Sequence, residues 1–200
     1  MEAIKFKLFD LYDAQVEIKD PALKPYINLT PKLLVKTYGR RNFEHQGNIK
    51  VNVVERLANH LQVPGHLGKK HRIITSWSSG KSNKNMHLLL ETFKIIEHRT
   101  KKNPIQVFVD AIDNGSPRDE ITVIEQGGAR YPQAVDCSPI RRINLALRWF
   151  VQGAYGKAFG KKKKMAEALA DEIIKASEGS MDSFSFSKRN EVEKQADSAR

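Results

Sequence analysis

Few residues in this sequence have the types and spacing that catalysis requires. The closest match to a catalytic motif is Gly80-Lys81-Ser82, because a phosphate-binding loop has the form Gly-x-x-x-x-Gly-Lys-Ser/Thr after a strand. Thr75 stands where the first glycine of that motif belongs, and nothing downstream has the pattern of a parallel α/β domain. The tripeptide is more simply a loop that caps the next helix, so a nucleotide-dependent enzyme is the least favoured class.

The six histidines have no metal-binding pattern. None is spaced as His-x-x-x-His or His-Glu-x-x-His, and a zinc site needs three or four protein ligands. His66 and His71 share a loop with Lys69 and Lys70, whose charges repel a further cation. Adjacent acids such as Asp171-Glu172 point in different directions on a helix and form no acid-base pair. We therefore predict no catalytic site, no metal and no cofactor.

Positive charge dominates the composition. The 200 residues include 34 Lys and Arg against 23 Asp and Glu, which gives a net charge of +11. Such an excess indicates a polyanionic partner, with nucleic acid favoured over an anionic membrane surface. A solvated basic protein without such a partner is the simpler alternative. No stretch approaches 18 consecutive apolar residues, so no membrane-spanning helix is predicted.

The single cysteine and the first residues bear on the compartment. Cys137 has no second cysteine with which to form an internal disulfide, which is typical of a reducing environment. Residues 1–7 lack the apolar core of a secretion signal. We expect a soluble, cytoplasmic protein.

Basic residues gather where helices are expected to begin. A helix N-terminus already carries partial positive charge and free backbone N–H groups, so folding alone would favour acidic residues there. Arg141 and Arg142 follow the start signal Ser138-Pro139. We interpret them as a phosphate site and expect their replacement by alanine to weaken binding with the fold intact. The lysine run before residue 165 could also be only a solvated face. The further candidate contacts are Lys69, Lys70, Arg72, Lys81, Lys84, Lys161, Lys162, Lys163 and Lys164.

The apolar pattern predicts the elements that hold these side chains. Helical spacing, with an N-cap residue before proline at Asn103-Pro104 and Ser138-Pro139, predicts a mainly α fold. We expect a bundle of about five to six helices. The polar end, 188–199, predicts a peripheral helix or a disordered tail. The other helices are expected at residues 51–62, 85–99, 103–115, 138 to about 153, and 165–177.

Between the third and fourth helices the period changes. Residues 121–126 are β-branched and extended in character, and 130–135 alternate, which predicts a protruding β-hairpin at about residues 120–136. Gly127-Gly128 is its turn. Arg130 and Tyr131 lie near its tip, where a basic, aromatic ribbon could reach a groove or stack on a single strand. The alternative is a hairpin packed with Tyr131 in the core. We interpret 1–48 as an N-terminal extension, lying on a partner or along the core, and 49–200 as the helical domain that binds nucleic acid.

The hairpin and the helix after it resemble one family, that of the seventh small-subunit ribosomal protein. The upstream segments Val54–Leu57 and Gly68–Lys70 resemble its archaeal and eukaryotic branch, which carries an N-terminal extension. The segments that carry the resemblance are Gly127–Pro132, Ala134–Asp136, Ser138–Trp149, Lys102–Val107, Ala111–Ile112, Leu169–Ile174, Val54–Leu57 and Gly68–Lys70.

The resemblance implies a protein of the small-subunit head. Such a protein binds the 3′ major domain of ribosomal RNA early in assembly, contacts neighbouring head proteins, and lies near the exit-site tRNA and the mRNA exit path. Carried over, the hairpin tip is Gln126–Tyr131, and the RNA-facing arginines are Arg141, Arg142 and Arg148. Ile124–Gln126 stands where relatives often have an arginine-rich strand.

The residues leave one other binding class open, a DNA-binding helical domain. A helix-turn-helix needs a short turn between its two helices. The helices expected after Asn103 and Ser138 are instead separated by the hairpin, which argues against this class.

Overall fold

The computed structural model describes residues 7–39, 47–64, 66–67, 72–73 and 80–200, and the side chains of these except at 66–67, 72–73 and 126. Within these ranges the chain is a helical bundle with a projecting hairpin, so the predicted fold class is confirmed. Two short 3-10 helices, Lys24–Tyr26 and Gly47–Lys50, precede the bundle. The α-helices are α1 (Val53–His60), α2 (Ser82–Thr100), α3 (Pro104–Gly115), α4 (Pro139–Ala158), α5 (Met165–Ser177) and α6 (Phe184–Ser198). The strands are β1 (His66–Leu67), β2 (Arg72–Ile73), β3 (Asp119–Gln126) and β4 (Ala129–Asp136), paired β1 with β2 and β3 with β4.

Local capping chemistry sets where several helices begin. The Asn103 side chain accepts a hydrogen bond from the Ile105 N–H at 3.0 Å, with Pro104 in the first turn. Asn52 caps α1 in the same way through Val54. These side chains satisfy N–H groups that have no partner inside the helix. The cap-then-proline prediction at α3 is confirmed.

Helix α4 continues past its expected end near Gly153 to Ala158. Gly153 is buried inside the helix, where a Cβ atom would lie only 2.6 Å from the Cβ of Phe184. Glycine is therefore needed here for close helix packing, and it does not end the helix. The expected end was wrong because a packing glycine and a terminating glycine look alike in sequence.

Helix α6 is a peripheral helix that is docked on the bundle. It begins at Phe184, and the Ser183 side chain accepts from the Phe186 N–H at 3.4 Å. Ser185 and Ala196 are fully buried, and Glu193 accepts from the Arg118 N–H at 3.0 Å, just before β3. Of the two alternatives for the last segment, the helix is the one observed.

The N-terminal segment lies along the core. Leu8 and Leu23 are fully buried in the same apolar cluster as Phe93 and Phe108. The ring of Tyr12 meets Phe93 edge-on, with centroids 6.1 Å apart. Within residues 7–39 this segment therefore completes the core.

The hairpin has a regular register, from Asp119 opposite Asp136 to Gln126 opposite Ala129. Its turn residues Gly127 and Gly128 have φ of +59° and +81°, as the two-residue turn that fits strand twist requires. Tyr131 is 57% exposed, so the alternative that placed it in the core is wrong. In the described part of the chain, no helix combines the length and apolarity needed to cross a bilayer.

Candidate nucleic-acid interface

The two arginines in the first turn of α4 occupy different environments. Arg142 is buried, its Nε donates to the Pro117 carbonyl at 3.1 Å, and its Nη2 donates to Asp20 at 2.7 Å. Burial alone would raise the pKa of Asp20, but the hydrogen bonds from Arg142 and the Ala22 N–H, together with the charges of Arg142 and Arg118, outweigh it and leave the pKa below its ordinary value. Arg142 thus ties α4 to the N-terminal segment, and its donors are used inside the molecule.

Arg141 faces outward but is also paired. Its guanidinium bonds Glu120 at the base of β3, with Nη2 2.6 Å from Oε2, and this hydrogen bond raises the pKa of Arg141. The side chain is 55% exposed, so its other donors can reach a phosphate. Cys137 lies beside this pair, and burial followed by the Glu120 charge raises its pKa to about 12.

Arg148 lies farther along α4 and is exposed. It borders a cleft of about 340 Å³ between α1 and α4, together with His60 and Gln152. Burial, followed by the charges of Arg148 and Arg56, lowers the pKa of His60 to about 4. At neutral pH Arg148 therefore stands beside a neutral imidazole, and its charge is available to an anion.

Lysines occupy the starts of α2 and α5. Lys81 is the N-cap of α2 and Lys164 that of α5, and neither helix has a side-chain cap. Since a helix leaves its first N–H groups without an internal partner, both starts offer backbone donors. Among the described residues we find no ion pair or hydrogen bond of the side chains of Lys81, Lys84, Lys161, Lys162 and Lys164, all of which are exposed.

Lys163 differs from its neighbours because it is held in place. Its Nζ and the guanidinium of Arg99 both bond the carboxylate of Asp171. Burial alone would raise the pKa of Asp171, but these two hydrogen bonds lower it below its ordinary value. Arg99 was missed by the sequence reasoning, because a basic residue in the last turn of a helix is what the helix dipole favours in any protein.

The starts of α2 and α5 meet at one cleft. It has a volume of about 500 Å³ and is lined by Lys84, Asn85 and Leu88 of α2 and by Met165, the first residue of α5. The end of α4 and the residues after α1 complete it through Leu61, Pro64, Tyr155, Ala158, Phe159 and Gly160. We call this the α2–α5 cleft. The tertiary structure thus brings two lysine clusters, distant in sequence, to a single surface.

The hairpin tip carries little net charge. Arg130 is exposed and lies 3.6 Å from Glu125 across the strands, Nε to Oε2, while Val123, Ile124 and Tyr131 are exposed. None of these residues lines the α2–α5 cleft. The tip is therefore a second, separate candidate contact with an aromatic character.

The structure gives no side-chain position for three of the predicted RNA contacts. Lys69 and Lys70 lie outside the described residues. Arg72 is in β2, opposite Leu67 of β1, but its side chain is not described. In the described ranges, no group of three His, Cys, Asp or Glu side chains is placed to hold a metal ion.

The fold and these surfaces together define a basic, mainly helical protein whose cations stand at helix starts beside a projecting hairpin. The chain belongs to the ribosomal protein S7p/S5e family, whose model matches residues 26–200. It is thus a ribosomal protein by family, and the family is not a class of enzymes.

Several archaeal proteins are similar to the chain over nearly its whole length. The small ribosomal subunit protein uS7 of Nanoarchaeum equitans is 47% identical over 198 residues, which cover 98% of this chain and 100% of the relative. The protein of the same name from Archaeoglobus fulgidus is 43% identical, over 96% of this chain and 94% of the relative. That from Methanococcus maripaludis is 42% identical, over 98% and 100%.

Proposed function

We propose that this protein is a structural component of the small ribosomal subunit that binds ribosomal RNA of the 3′ major domain and nucleates assembly of the head. Neighbouring head proteins are its other partners, and it lies near the exit-site tRNA and the mRNA exit path. Family membership and the names of the archaeal relatives support the placement in the small subunit of the cytoplasmic ribosome.

The observation that carries the RNA-binding proposal is that the starts of α2 and α5 share one cleft, which Lys84 lines. Lys81 is the N-cap of α2, and Lys161, Lys162 and Lys164 lie between the lining residues Gly160 and Met165. Folding does not require this charge, because the helix dipole disfavours cations at a helix start. A phosphate offsets the repulsion and bonds the free N–H groups as well. Docking of an RNA backbone is therefore the simplest reason for lysines at both starts.

The arginines of α4 divide between folding and binding. Arg148 and the free donors of Arg141 are offered to phosphate, since both side chains are exposed. Arg142 positions the N-terminal segment through its bond to Asp20. In this proposal it affects RNA binding only by stabilising the fold and makes no contact with RNA. The exposed Arg130 and Tyr131 give the hairpin a tip suited to stacking on an unpaired base.

The proposal predicts strong salt dependence. Each phosphate contact releases counterions, so the slope of log K against log salt is about −0.7 to −0.9 per contact. We would measure binding of the full-length chain to a 3′ major domain RNA fragment over a salt series, using wild type and a variant with Lys161, Lys162 and Lys164 changed to alanine. The slope should become shallower by about 2–3 in the variant.

Lys194→Ala is the matched control, since Lys194 is exposed on α6 away from the cleft lining. It should leave affinity and slope unchanged. Equal slopes for wild type and the triple variant would contradict the assigned face. A duplex DNA competitor that displaces the RNA at equal concentration would instead favour a general DNA-binding domain.

A further inference from the structure

We propose that the α2–α5 cleft is a pocket for one extruded RNA base, with the flanking phosphates held at the starts of α2 and α5. This inference rests on the proposed function and specifies which part of the RNA the cleft binds. The cleft volume of about 500 Å³ lies within the range of about 300–1,000 Å³ that small-molecule sites occupy.

The walls of the cleft suit a planar aromatic ligand. Tyr155 and Phe159 stack with ring centroids 5.3 Å apart and an interplanar angle of 29°. Phe159 is still 41% exposed, although a large aromatic side chain normally gains from burial. Leu61, Leu88 and Met165 supply apolar surface around the rings. A base that stacks on Phe159 would cover surface that the fold leaves open.

Asn85 gives the cleft a polar group that lacks a partner. Asn85 is 7% exposed, and its Nδ2 has no hydrogen-bond acceptor among the residues that the structure describes. Such a buried amide is costly unless it is bonded. Asn85 lines the cleft, and χ2 is a soft torsion in asparagine, so the amide can turn toward a ligand there. Every nucleobase has carbonyl or ring-nitrogen acceptors at its edge, so an inserted base can satisfy this donor.

The charge around the cleft favours a nucleotide over an apolar peptide segment. Lys84 is the only charged residue in the described lining, and Lys81, Lys161, Lys162 and Lys164 flank it. An apolar peptide segment would cover the apolar lining of the cleft but would leave these lysines without an anionic partner. A nucleotide uses both, because its base enters the apolar cleft while its phosphates remain at the lysines and the free N–H groups.

The test compares two single-stranded oligonucleotides of equal length and charge. One strand is abasic at every position, and the other strand carries a single 2-aminopurine. The fluorescence of 2-aminopurine is quenched when this base stacks on an aromatic ring. Full-length wild type should quench the 2-aminopurine and bind that strand about tenfold more tightly than the abasic strand, because one stacked base contributes roughly that factor.

Two variants address the pocket in different ways. Phe159→Leu removes the stacking ring, and Ala158→Leu fills the cleft while keeping every lysine. Both should abolish the preference for the 2-aminopurine strand and leave binding of the abasic strand unchanged. Tyr38→Leu, at an exposed aromatic position outside the cleft lining, is the matched control and should retain quenching and preference. Thermal melting checks that each variant is folded.

The outcomes separate this proposal from the one it rests on. If wild type binds the head RNA fragment but binds both oligonucleotides equally without quenching, the base pocket is wrong and the RNA-binding role stands. The base pocket is equally wrong if quenching persists in both pocket variants. If wild type binds neither the fragment nor the oligonucleotides, both proposals fail.

Discussion

The carboxylate of Glu172 on α5 accepts a hydrogen bond from the Ser183 hydroxyl, Oγ to Oε1, at 2.7 Å in a fully buried environment. The same oxygen accepts from the Ser185 N–H at 3.1 Å, and the other oxygen pairs with Lys157 of α4. One buried carboxylate therefore holds the start of α6 against α4 and α5. This contact is one polar attachment of a helix whose own sequence has little apolar character; Arg189, which donates to the Asn114 carbonyl, and Glu193, which accepts from the Arg118 N–H, are others.

Replacing Glu172 by alanine should detach the start of α6. The change leaves Ser183 and Ser185 with buried donors and Lys157 without its carboxylate, so we expect a loss of about 3 kcal/mol in the free energy of unfolding. Urea unfolding measures the loss, and hydrogen exchange should show faster exchange in α6 than in α3. Glu178→Ala, at an exposed position after α5, should have little effect, and equal effects of the two changes would contradict this role.

Replacing the two neighbouring arginines of α4 should have different effects, on stability at Arg142 and on RNA binding at Arg141. Arg142→Ala leaves Asp20 and the Pro117 carbonyl without their partner in a largely buried site, so we expect a loss of about 2–3 kcal/mol in the free energy of unfolding. Arg141→Ala breaks only an exposed pair and should cost less than about 1 kcal/mol while weakening RNA binding. Denaturant titration and RNA binding of both variants test this, and a stable Arg142→Ala protein would contradict it.

Two glycines of α4 should respond to alanine with opposite signs. At Gly153 the new Cβ would lie 2.6 Å from Phe184 Cβ and 3.1 Å from the Glu172 carboxyl carbon, so Gly153→Ala should destabilise the protein by pushing α6 away. At Gly156 nothing lies within 4 Å. There alanine should stabilise the helix by about 0.5–1 kcal/mol through reduced chain entropy. Melting temperatures that move in the same direction would refute the packing role of Gly153.

The lowered pKa of His60 makes stability depend on pH. The folded pKa is about 4 against an ordinary value of 6.5, so between these values the unfolded chain binds a proton that the folded chain does not. Stability should thus rise with pH across this window, and acidification from 6.5 to 4 should remove up to about 3 kcal/mol. His60→Gln should flatten this part of the unfolding-versus-pH curve, whereas the exposed His98→Gln should not. An unchanged slope in His60→Gln would show that His60 is not its source.

Local chemistry was enough to predict most elements. The spacing of apolar residues indicated the helices, Asn103-Pro104 marked the start of α3, and Gly127-Gly128 marked the hairpin turn, because each depends on residues within a turn or two. The same reasoning treated Arg141 and Arg142 as equivalent, since both stand in the first turn of one helix. Their partners, Glu120 and Asp20, lie 21 and 122 residues away, and no local pattern encodes such a pairing.

The sequence by itself determined the charge of this protein, the identity of its helices and its likeness to one family. Only the tertiary structure decided which cations are used by the fold and which stay exposed, and that the starts of α2 and α5, which carry lysines, share a cleft. The physical reason is that periodicity fixes which face of a helix is buried, whereas helix packing fixes which helix ends become neighbours. Helix packing also decided that Gly153 is a close-contact position for α6 inside α4, which continues to Ala158.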